Sequence, residues 1–561
     1  MENFRTPLII ALFAISAVLY VKWIEFSDSK NLANNSANVD SSQIRDVAVP
    51  EISSQAEAIQ VPSETPNADL LEVPGQEALA LSDPASLITI ETDLAIVTIN
   101  TKGAVIERME LKEEPLSTDK PDQGFPLLKK TASELFNVED GLFNSEKNTP
   151  NHQTQYSAAQ KNYVLGDLEQ VQVPLSWKAD NGVFYTKVMT FKRDSYVVDI
   201  DYQISNGSNT PWNGFLYAQF LRTKPTDSGG GFGQLPSYTG GATYTEEDKY
   251  NKVDFGDIKS SNLDVTTNNG WVAMLQHYFV GVWIPQTGPK KFYSTYSDQA
   301  NPRYRIGYRT EQATQIAAGQ TGTIGTQVFL GPKEQSRLKK IQKEKNIKGL
   351  PLTVDYGFLT FIADPLFTVL SWIHAVVGNW GWAIILLTLL IKILFYPLSA
   401  ASYKSMAGMK KLQPRLKTLQ ERHKGDRQKL QMEMMALYKK EKVNPAGGCL
   451  PILIQIPVFI ALYWALLESV ELRQAPFALW WQDLSAPDPF YVLPVLMGAS
   501  MWLQQKLNPA PMDEIQKKVM TIMPIALTFL FLTFPAGLVL YWVTNNVLSM
   551  AQQWYINRKF A

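Results

Sequence analysis

WGWAIILLTLLIKILFYPL, residues 380–398, holds a single charged side chain, Lys392, in an otherwise apolar run. A run of this length matches the ~20 residues that an α-helix needs to cross the ~30 Å hydrocarbon core of a bilayer. Counted from Trp380 at 1.5 Å per residue, Lys392 is roughly 18 Å along that helix. An ionised lysine at such a depth costs roughly 2.5 to 3.5 kcal/mol on insertion scales. Either the long side chain of Lys392 therefore reaches the membrane surface, or the charge has a function inside the membrane.

Further apolar runs after this segment predict a helical membrane bundle. Two of them, 449–467 and 490–507, each have the length of one span. A third, 518–553, is too long for a single helix to cross ~30 Å, and Pro535 followed by Ala-Gly divides it into two spans. The sequence therefore predicts a five-span core over 379–556.

The N-terminal part of the chain predicts a sixth span and a linker. Residues 7–21 are apolar between Arg5 and Lys22, and no small-residue cleavage site follows them. We interpret 1–26 as an uncleaved transmembrane anchor. Residues 27–85 contain no aromatic residue and are rich in Ser, Asn and Pro, which is typical of a flexible linker.

Residues 86–345 have the pattern of a large β-sandwich. Every second residue from Tyr196 to Ile204 is apolar, and turn-forming Asn and Gly follow. Several similar short segments predict two packed sheets. The domain ends in a short helix rich in Lys and Glu. Residues 351–378 are apolar but contain Asp364, Pro365 and His374, which favours an amphipathic helix in the membrane surface over a span.

Charge distribution predicts the orientation of the chain. Residues 399–446 hold 12 basic and 4 acidic side chains, whereas 27–345 hold 30 basic and 39 acidic ones. By the positive-inside rule the basic stretch is cytoplasmic and the sandwich lies outside. Six spans then leave both termini in the cytoplasm, including the short tail 557–561. The basic stretch is predicted to form a helical hairpin, broken at Gly425, that contacts anionic lipid or ribosomal RNA.

Polar side chains inside the predicted spans define the candidate site. Thr388 lies one turn from Lys392, as does Tyr396 on the other side, and Gln455 lies in the middle of another span. On the last span one helical face is polar, and its members are Tyr541, Trp542, Asn545, Asn546, Ser549 and Gln552. Such a face either joins helices or lines a hydrophilic groove. Lys392 itself either snorkels to the inner surface or faces that groove.

Motifs for catalysis or metal binding are missing from the sequence. Cys449 is the single cysteine, there are four histidines, and no HExxH, Walker or GxSxG pattern occurs. We therefore expect no catalytic residue, metal or cofactor. Two alternatives stay open. A solute transporter would show internal repeats and intramembrane carboxylates. A membrane-tethered carbohydrate-active or carbohydrate-binding protein would need paired acids or a histidine in a cleft, and His152 and His277 have no evident partners.

Short motifs across 380–556 resemble the YidC family of membrane protein insertases. The motifs are NWGW at 379–382, YPL at 396–398, NPAGGCLP at 444–451, VELRQAPF at 470–477 and FPAGLVLYW at 534–542. The layout of anchor, outer sandwich and bundle is similar to the Gram-negative form of that family.

The resemblance implies a function in the bacterial inner membrane. It implies that the chain inserts newly made membrane proteins and helps them fold, alone or with the Sec translocon, without cofactor or covalent chemistry. The family's groove charge, commonly Arg, falls on Lys392, and neighbouring groove residues fall on Thr388 and Trp542. With Gln455, Tyr541 and Asn545 these form the predicted substrate groove.

Overall fold

The structure is a computed structural model that describes residues 82–560 except for 132, 226–236, 298–301, 424, 442, 444–449 and 508–513. The predicted anchor 1–26 and the linker up to residue 81 lie outside the described residues. The ordered domain begins slightly before the expected boundary at 86, because the Ser82 hydroxyl donates to Glu107 at 2.6 Å.

Twenty strands make up the β-domain within the described residues. They are β1 Leu87–Glu91, β2 Ala95–Asn100, β3 Val105–Ser117, β4 Lys120–Lys130, β5 Leu135–Phe143, β6 Ser157–Ala158, β7 Asn162–Val164, β8 Gln170–Lys178, β9 Val183–Lys192, β10 Val197–Asn206, β11 Trp212–Thr223, β12 Gly240–Thr245, β13 Lys249–Val253, β14 Asp264–Thr267, β15 Gly270–Leu275, β16 Phe279–Ile284, β17 Lys290–Ser297, β18 Arg303–Thr310, β19 Thr314–Ile316 and β20 Thr321–Pro332.

These strands form two sheets, which confirms the large β-rich domain. One sheet has the order β14-β17-β18-β11-β5-β4-β3-β2-β1-β7, with β19 beside β11, and the other has the order β13-β12-β15-β16-β20-β10-β9-β8-β6. In the second sheet Tyr202 lies opposite Ile324 on β20 and Lys187 on β9. The alternation predicted from 196 to 204 appears here, because Ile200, Tyr202 and Ile204 are fully buried.

Ten α-helices are described. They are α1 Phe255–Ser260, α2 Gln335–Glu344, α3 Thr360–Val377, α4 Trp380–Leu394, α5 Tyr396–Arg422, α6 Arg427–Lys440, α7 Leu450–Glu468, α8 Val492–Leu507, α9 Glu514–Phe531 and α10 Ala536–Phe560. The last of them, α10, is the centre of the bundle, because it packs against α4, α5, α7 and α8.

The helix that begins at Trp380 ends earlier than the sequence predicts. α4 ends at Leu394, and α5 starts at Tyr396 after a bend of 68°. Pro397 lies in the first turn of α5, where its missing N–H is tolerated, whereas in a continued α4 it could not donate to the Ile393 carbonyl. The run 380–398 is therefore not one straight helix, and Tyr396 does not extend the polar stripe of α4.

Membrane crossing rests on the length and composition of the helices. Among the described residues one helix, Gly357–Val377, is long and apolar enough to span, and the bent pair of α4 and α5 would be a second if it forms one broken span. The apolar parts of α7 and α9, Gln455–Glu468 and Lys518–Phe531, are shorter. The count of six spans stays a prediction, as does the interfacial assignment of 351–378.

The β-domain contacts the bundle through a short segment that follows α7. The Lys333 ammonium lies 3.5 Å from the Glu468 carboxylate, and both side chains are almost fully buried. Arg473 forms an ion pair with Glu114 at 3.2 Å and donates to the Pro115 carbonyl at 2.6 Å. These contacts fix the outer ends of the helices relative to the sandwich.

Candidate functional site

A cavity of about 460 Å³ lies inside the helical bundle. Its walls come from α5, α7, α8, α9 and α10. The lining residues are Ser399, Ser402, Tyr403, Met406, Gln455, Ile456, Phe459, Met501, Gln504, Gln505, Met520, Met523, Leu527, Tyr541, Trp542, Asn545, Asn546 and Ser549.

One wall of this cavity is polar because α10 turns three side chains toward it, Asn545, Asn546 and Ser549. Asn546 donates to the Ser500 hydroxyl at 3.0 Å, and Ser549 donates to the Asn545 carbonyl at 2.7 Å. Spacings of three and four residues place these groups on one helical face. The polar face of the last helix is therefore divided, with some groups joining helices and others open to the cavity.

Lys392 lies one hydrogen bond away from the cavity. Its side chain is 2% exposed, and its ammonium donates to the Ser549 hydroxyl at 2.7 Å. Gln552 of α10 donates to the Lys392 carbonyl at 3.3 Å. Among the described residues that line the cavity, none is Asp or Glu. The ammonium thus ends inside the bundle beside a neutral hydroxyl, and no carboxylate of the cavity lining offsets its charge.

Thr388 does not open onto the cavity as expected. It is 1% exposed, and its hydroxyl donates to the Ile384 carbonyl at 2.7 Å, one turn back on the same helix. Helical threonines commonly satisfy their hydroxyl in this way. Thr388 therefore lies behind the cavity wall and supports α4.

The other four predicted groove residues, Gln455, Tyr541, Trp542 and Asn545, do line the cavity. Trp542 packs edge-on against Phe459, with ring centroids 4.4 Å apart, and Tyr541 stacks on the same ring at 6.0 Å. The aromatic pair closes the outer end of the polar face and holds α7 against α10.

Several lining residues were not predicted, and they lie at the start of α5. Ser399, Ser402, Tyr403 and Met406 follow helical spacing, which was the available signal, but they were assigned to the cytoplasmic hairpin. The bend after Leu394 brings this face under the bundle. Gln505 was also missed. Its buried side-chain nitrogen has no hydrogen-bond partner among the described residues, so it is available to a molecule in the cavity.

Another part of the lining is apolar and rich in thioethers. It comes mainly from α8 and α9, through Met501, Met520, Met523 and Leu527, with Met406 from α5. Methionine side chains are flexible and polarizable, so they adapt to apolar partners of different shape. The cavity therefore offers both polar contacts and adaptable apolar contacts.

Comparison with known proteins places the two parts of the chain in one family. Residues 87–369 match the family model described as the YidC periplasmic domain, and residues 372–561 match the model described as the 60Kd inner membrane protein. The YidC membrane protein insertase of Nitrosococcus oceani is 50% identical over 84% of this chain and 85% of its own length. The insertase of Pseudomonas fluorescens is 45% identical over 100% of this chain and 98% of its own length.

Among solved structures, an active YidC insertase with its first transmembrane domain resolved covers 85% of this chain and 93% of its own, at 20% identity and a TM-score of 0.38. The assignment rests on the family models and the relatives, which agree over both the sandwich and the bundle. The chain belongs to the YidC family of membrane protein insertases, which are not enzymes.

Proposed function

We propose that this chain inserts transmembrane segments into the bacterial inner membrane, and helps them fold, by passing their polar parts through the cavity of the bundle. The observation that carries this proposal is a polar wall with a buried lysine beside it, inside an otherwise apolar bundle. Newly made membrane proteins are the substrates.

The polar wall lowers the cost of moving polar residues into the membrane. A polar group without a hydrogen-bond partner costs several kcal/mol in hydrocarbon. Gln455, Asn545 and the unpaired nitrogen of Gln505 offer partners to such a group, and a cavity of about 460 Å³ has room for bridging waters. The polar residues of a client segment can therefore replace their hydrogen bonds to water, one after another, by hydrogen bonds to the cavity wall.

Lys392 adds an attraction for acidic residues of the client. Its charge lies in a low-dielectric bundle, where interactions between charges are stronger than in water. Because Ser549 supplies a neutral hydroxyl as its hydrogen-bond partner, the positive charge is not cancelled at that contact. An acidic residue in the cavity would be stabilised by this field.

The apolar wall retains the rest of the client. Met501, Met520 and Met523 present flexible thioethers to the segment that follows the polar part. Once the polar residues have crossed, this apolar segment is more stable in lipid than in the half-polar cavity. Release sideways into the bilayer then completes insertion.

We further propose that the chain crosses the membrane six times with both termini in the cytoplasm and the β-domain in the periplasm. The charge distribution supports this topology, since the hairpin 399–446 is strongly basic and the β-domain is acidic. A cysteine placed in the hairpin should be shielded from an impermeant thiol reagent in intact cells, and one in the sandwich should react. Labelling of the hairpin from outside would contradict the topology.

The cytoplasmic hairpin is our candidate contact for ribosome and anionic lipid. Leu412, Leu416 and Tyr438 pack between its two helices, which leaves the basic side chains on the outside. Exposed cations include Lys404, Lys410, Lys417, Arg422, Lys429, Lys439 and Lys440. Phosphate groups of RNA or lipid are the matching partners. Cooperation with the Sec translocon belongs to the same proposal.

Reconstitution tests the proposed function directly. The purified chain in liposomes should protect the translocated part of a newly synthesised single-span client from added protease, well above the level in liposomes without the chain. Equal protection in both preparations would contradict the proposal. A full-length chain with Gln455, Asn545 and Gln505 all replaced by Leu should bind the membrane normally but lose most of this protection.

A further inference from the structure

A second cavity lies in the β-domain, on the face of the first sheet that points away from the sandwich core. On β5 the side chains of Phe136 and Val138 enter the core, whereas Asn137 and Glu139 face the other way. Residues on an outer face are normally solvated, yet Asn137 and Glu139 are each 5% exposed. The polar residues of this face are therefore enclosed, which is unusual for a sheet surface.

Strand register aligns the polar groups across four neighbouring strands. Asn137 lies opposite Leu221 on β11, and Leu221 lies opposite Arg305 on β18. On the other side Ile106 of β3 is paired with Val138, which brings Glu107 next to Asn137. The backbone thus holds a carboxylate, an amide and a guanidinium in one row.

Charges in this cavity are unequal. It has a volume of about 90 Å³, and His152 and Gln153 of the loop after β5 form part of its wall. Four cations, Lys102, Lys130, Arg303 and Arg305, and two carboxylates, Glu107 and Glu139, are among the lining residues. The count favours an anionic guest.

The carboxylates are already engaged inside the protein. Glu107 accepts from Lys130 at 2.6 Å and from Asn100 at 2.9 Å. Glu139 accepts from Gln219 at 2.7 Å and lies 3.6 Å from Arg305. They therefore orient the cations and leave little capacity of their own for binding a ligand.

Asn137 adds a hydrogen-bond acceptor to the cations of the cavity. Its side-chain oxygen is buried and has no hydrogen-bond partner among the described residues. A buried acceptor without a partner is costly, so a ligand that donates a hydrogen bond to it is stabilised. The complementary ligand has an anionic group for the arginines and a hydroxyl donor beside it.

We propose that this cavity binds the carboxylate end of a small α-hydroxy acid, of which an aldonate such as D-gluconate is the representative. Arg305, together with Arg303, takes the carboxylate, because a guanidinium matches its two oxygens. The adjacent hydroxyl donates to Asn137. The small volume admits the acidic end of the ligand and leaves the remainder outside.

Calorimetry on the full-length chain in detergent tests this site at pH 7. D-gluconate and glycolate should bind, and D-glucose, which lacks the carboxylate, should bind at least ten-fold more weakly. Sulfate, which carries no hydroxyl donor at this pH, should compete poorly. Asn137→Ala should weaken gluconate binding at least five-fold, and Arg305→Gln should abolish detectable binding.

Arg309→Gln is the matched control, since Arg309 lies on the same strand but pairs with Glu311 outside the cavity. It should bind as the natural chain does. Arg305→Gln removes a partner of Glu139, so this variant could misfold. Asn137→Ala changes no charge and is therefore the decisive test of the site. Absence of binding by both hydroxy acids to the folded chain would overturn the proposal. So would equal binding of sulfate, or an unchanged affinity for gluconate in Asn137→Ala.

Discussion

Lys392 shows at the residue scale how a costly side chain is tolerated. Its ammonium has one hydrogen bond, to Ser549, and lies next to a cavity whose described lining contains no carboxylate. A buried charge in this position is expensive. A temporary partner in the client would offset that cost only during insertion, so the charge acts on the client more than on the folded chain.

Substitutions of Lys392 therefore separate charge from shape. Lys392→Arg should retain most insertion, and Lys392→Glu should be impaired most, because it repels acidic clients. Lys392→Ala should fall between, with roughly a three- to ten-fold loss for a client with an acidic translocated tail and a smaller loss for its neutral counterpart, which corresponds to ~0.7–1.4 kcal/mol. The measurement is insertion of both clients in cells at equal amounts of each variant.

Lys506→Ala provides the control for this series. Lys506 is an exposed lysine near the end of α8, with its ammonium over the Trp502 ring at 3.5 Å. Its replacement should leave both clients unaffected. Equal harm to the acidic and neutral clients by Lys392→Ala would contradict charge attraction and favour a general effect on the polar cavity.

Sequence patterns predicted several residues that line the cavity, but they did not predict the direction of each side chain. Gln455, Tyr541, Trp542 and Asn545 were predicted because polar atoms are conspicuous within apolar runs. Thr388 was misplaced because a helical threonine can satisfy its hydroxyl on its own backbone. Sequence spacing places a residue on a face and does not show which acceptor its hydroxyl chooses.

At the element scale, α8 and α9 approach closely at Gly498. A methyl group added there would lie 2.0 Å from the Thr528 hydroxyl, which is itself fixed by a hydrogen bond to the Pro524 carbonyl at 2.7 Å. Small residues permit such close helix contacts in membranes. The position of α9, and with it the methionine wall, depends on this contact.

Gly498→Ala should therefore destabilise the bundle, by about 1–3 kcal/mol as for other overpacked sites. Thermal unfolding in detergent measures the effect. Removal of the obstructing side chain in the double variant Gly498→Ala/Thr528→Ala should recover most of the loss. Ala499→Val, at the exposed neighbouring position, should change little. Ala has a higher helix propensity than Gly, so a loss in Gly498→Ala would come from packing, and failure of the double variant to recover it would contradict the contact with Thr528.

The break between α4 and α5 could not be predicted from hydrophobic periodicity. Hydrophobic runs and turn residues predicted most helices, because burial of a face has a local sequence signature. The bend of 68° has only the weak signal of Pro397. It moves Ser399, Ser402 and Met406 from an assumed cytoplasmic helix into the cavity wall, which no local pattern showed.

At the scale of the whole molecule, the junction of sandwich and bundle contains buried acidic side chains, Glu471 and Glu114 among them. Burial raises the pKa of Glu471 to about 7, with further contributions from Glu334 and Glu114, and burial also raises the pKa of Glu114 to about 7, against the effect of Arg473. Glu471 accepts from the Gln335 backbone N–H at 3.2 Å. These carboxyls join elements that are more than a hundred residues apart.

Docking at this junction should weaken as the pH rises. A carboxyl whose folded pKa exceeds its unfolded value of ~4.3 binds protons more strongly when folded, so its contribution is present below ~4.3 and lost as pH rises through about 7. The full chain should therefore unfold at a lower temperature at pH 8 than at pH 5.5. Glu471→Gln should reduce this difference, whereas Glu344→Gln, at an exposed position of α2, should not. An unchanged pH profile in Glu471→Gln would contradict the assignment.

Such a junction has no signature in the sequence. Arg473 and Glu114 are 359 residues apart, and hydrophobic periodicity reports only neighbours along the chain. Charge counts could still predict the side of the membrane, because topology depends on sums over whole segments. Domain identities were thus predictable, whereas the contacts that fix the domains together required the structure.

The cavity of the bundle is built without the sandwich. Every described lining residue lies between 399 and 549, so no residue of the β-domain belongs to the wall that contacts the client. Removal of residues 87–330 leaves Lys333 to pair with Glu468 and keeps α2 and α3. Insertion of a simple client should therefore remain at half its normal rate or more, although loss of the Glu114 and Pro115 contacts of Arg473 should lower the unfolding temperature.

A longer deletion, 87–345, gives the contrast. It removes Lys333 and α2 as well, so Glu468 loses the ion pair that the shorter deletion retains. That variant should be degraded or inactive. Both deletions are compared by the amount of chain in the membrane and by protease protection of the same client. Complete loss of insertion in the shorter deletion, with normal amounts in the membrane, would show that the sandwich acts in insertion itself. Equal behaviour of the two deletions would show instead that the pair of Lys333 and Glu468 does not hold the bundle in its working shape.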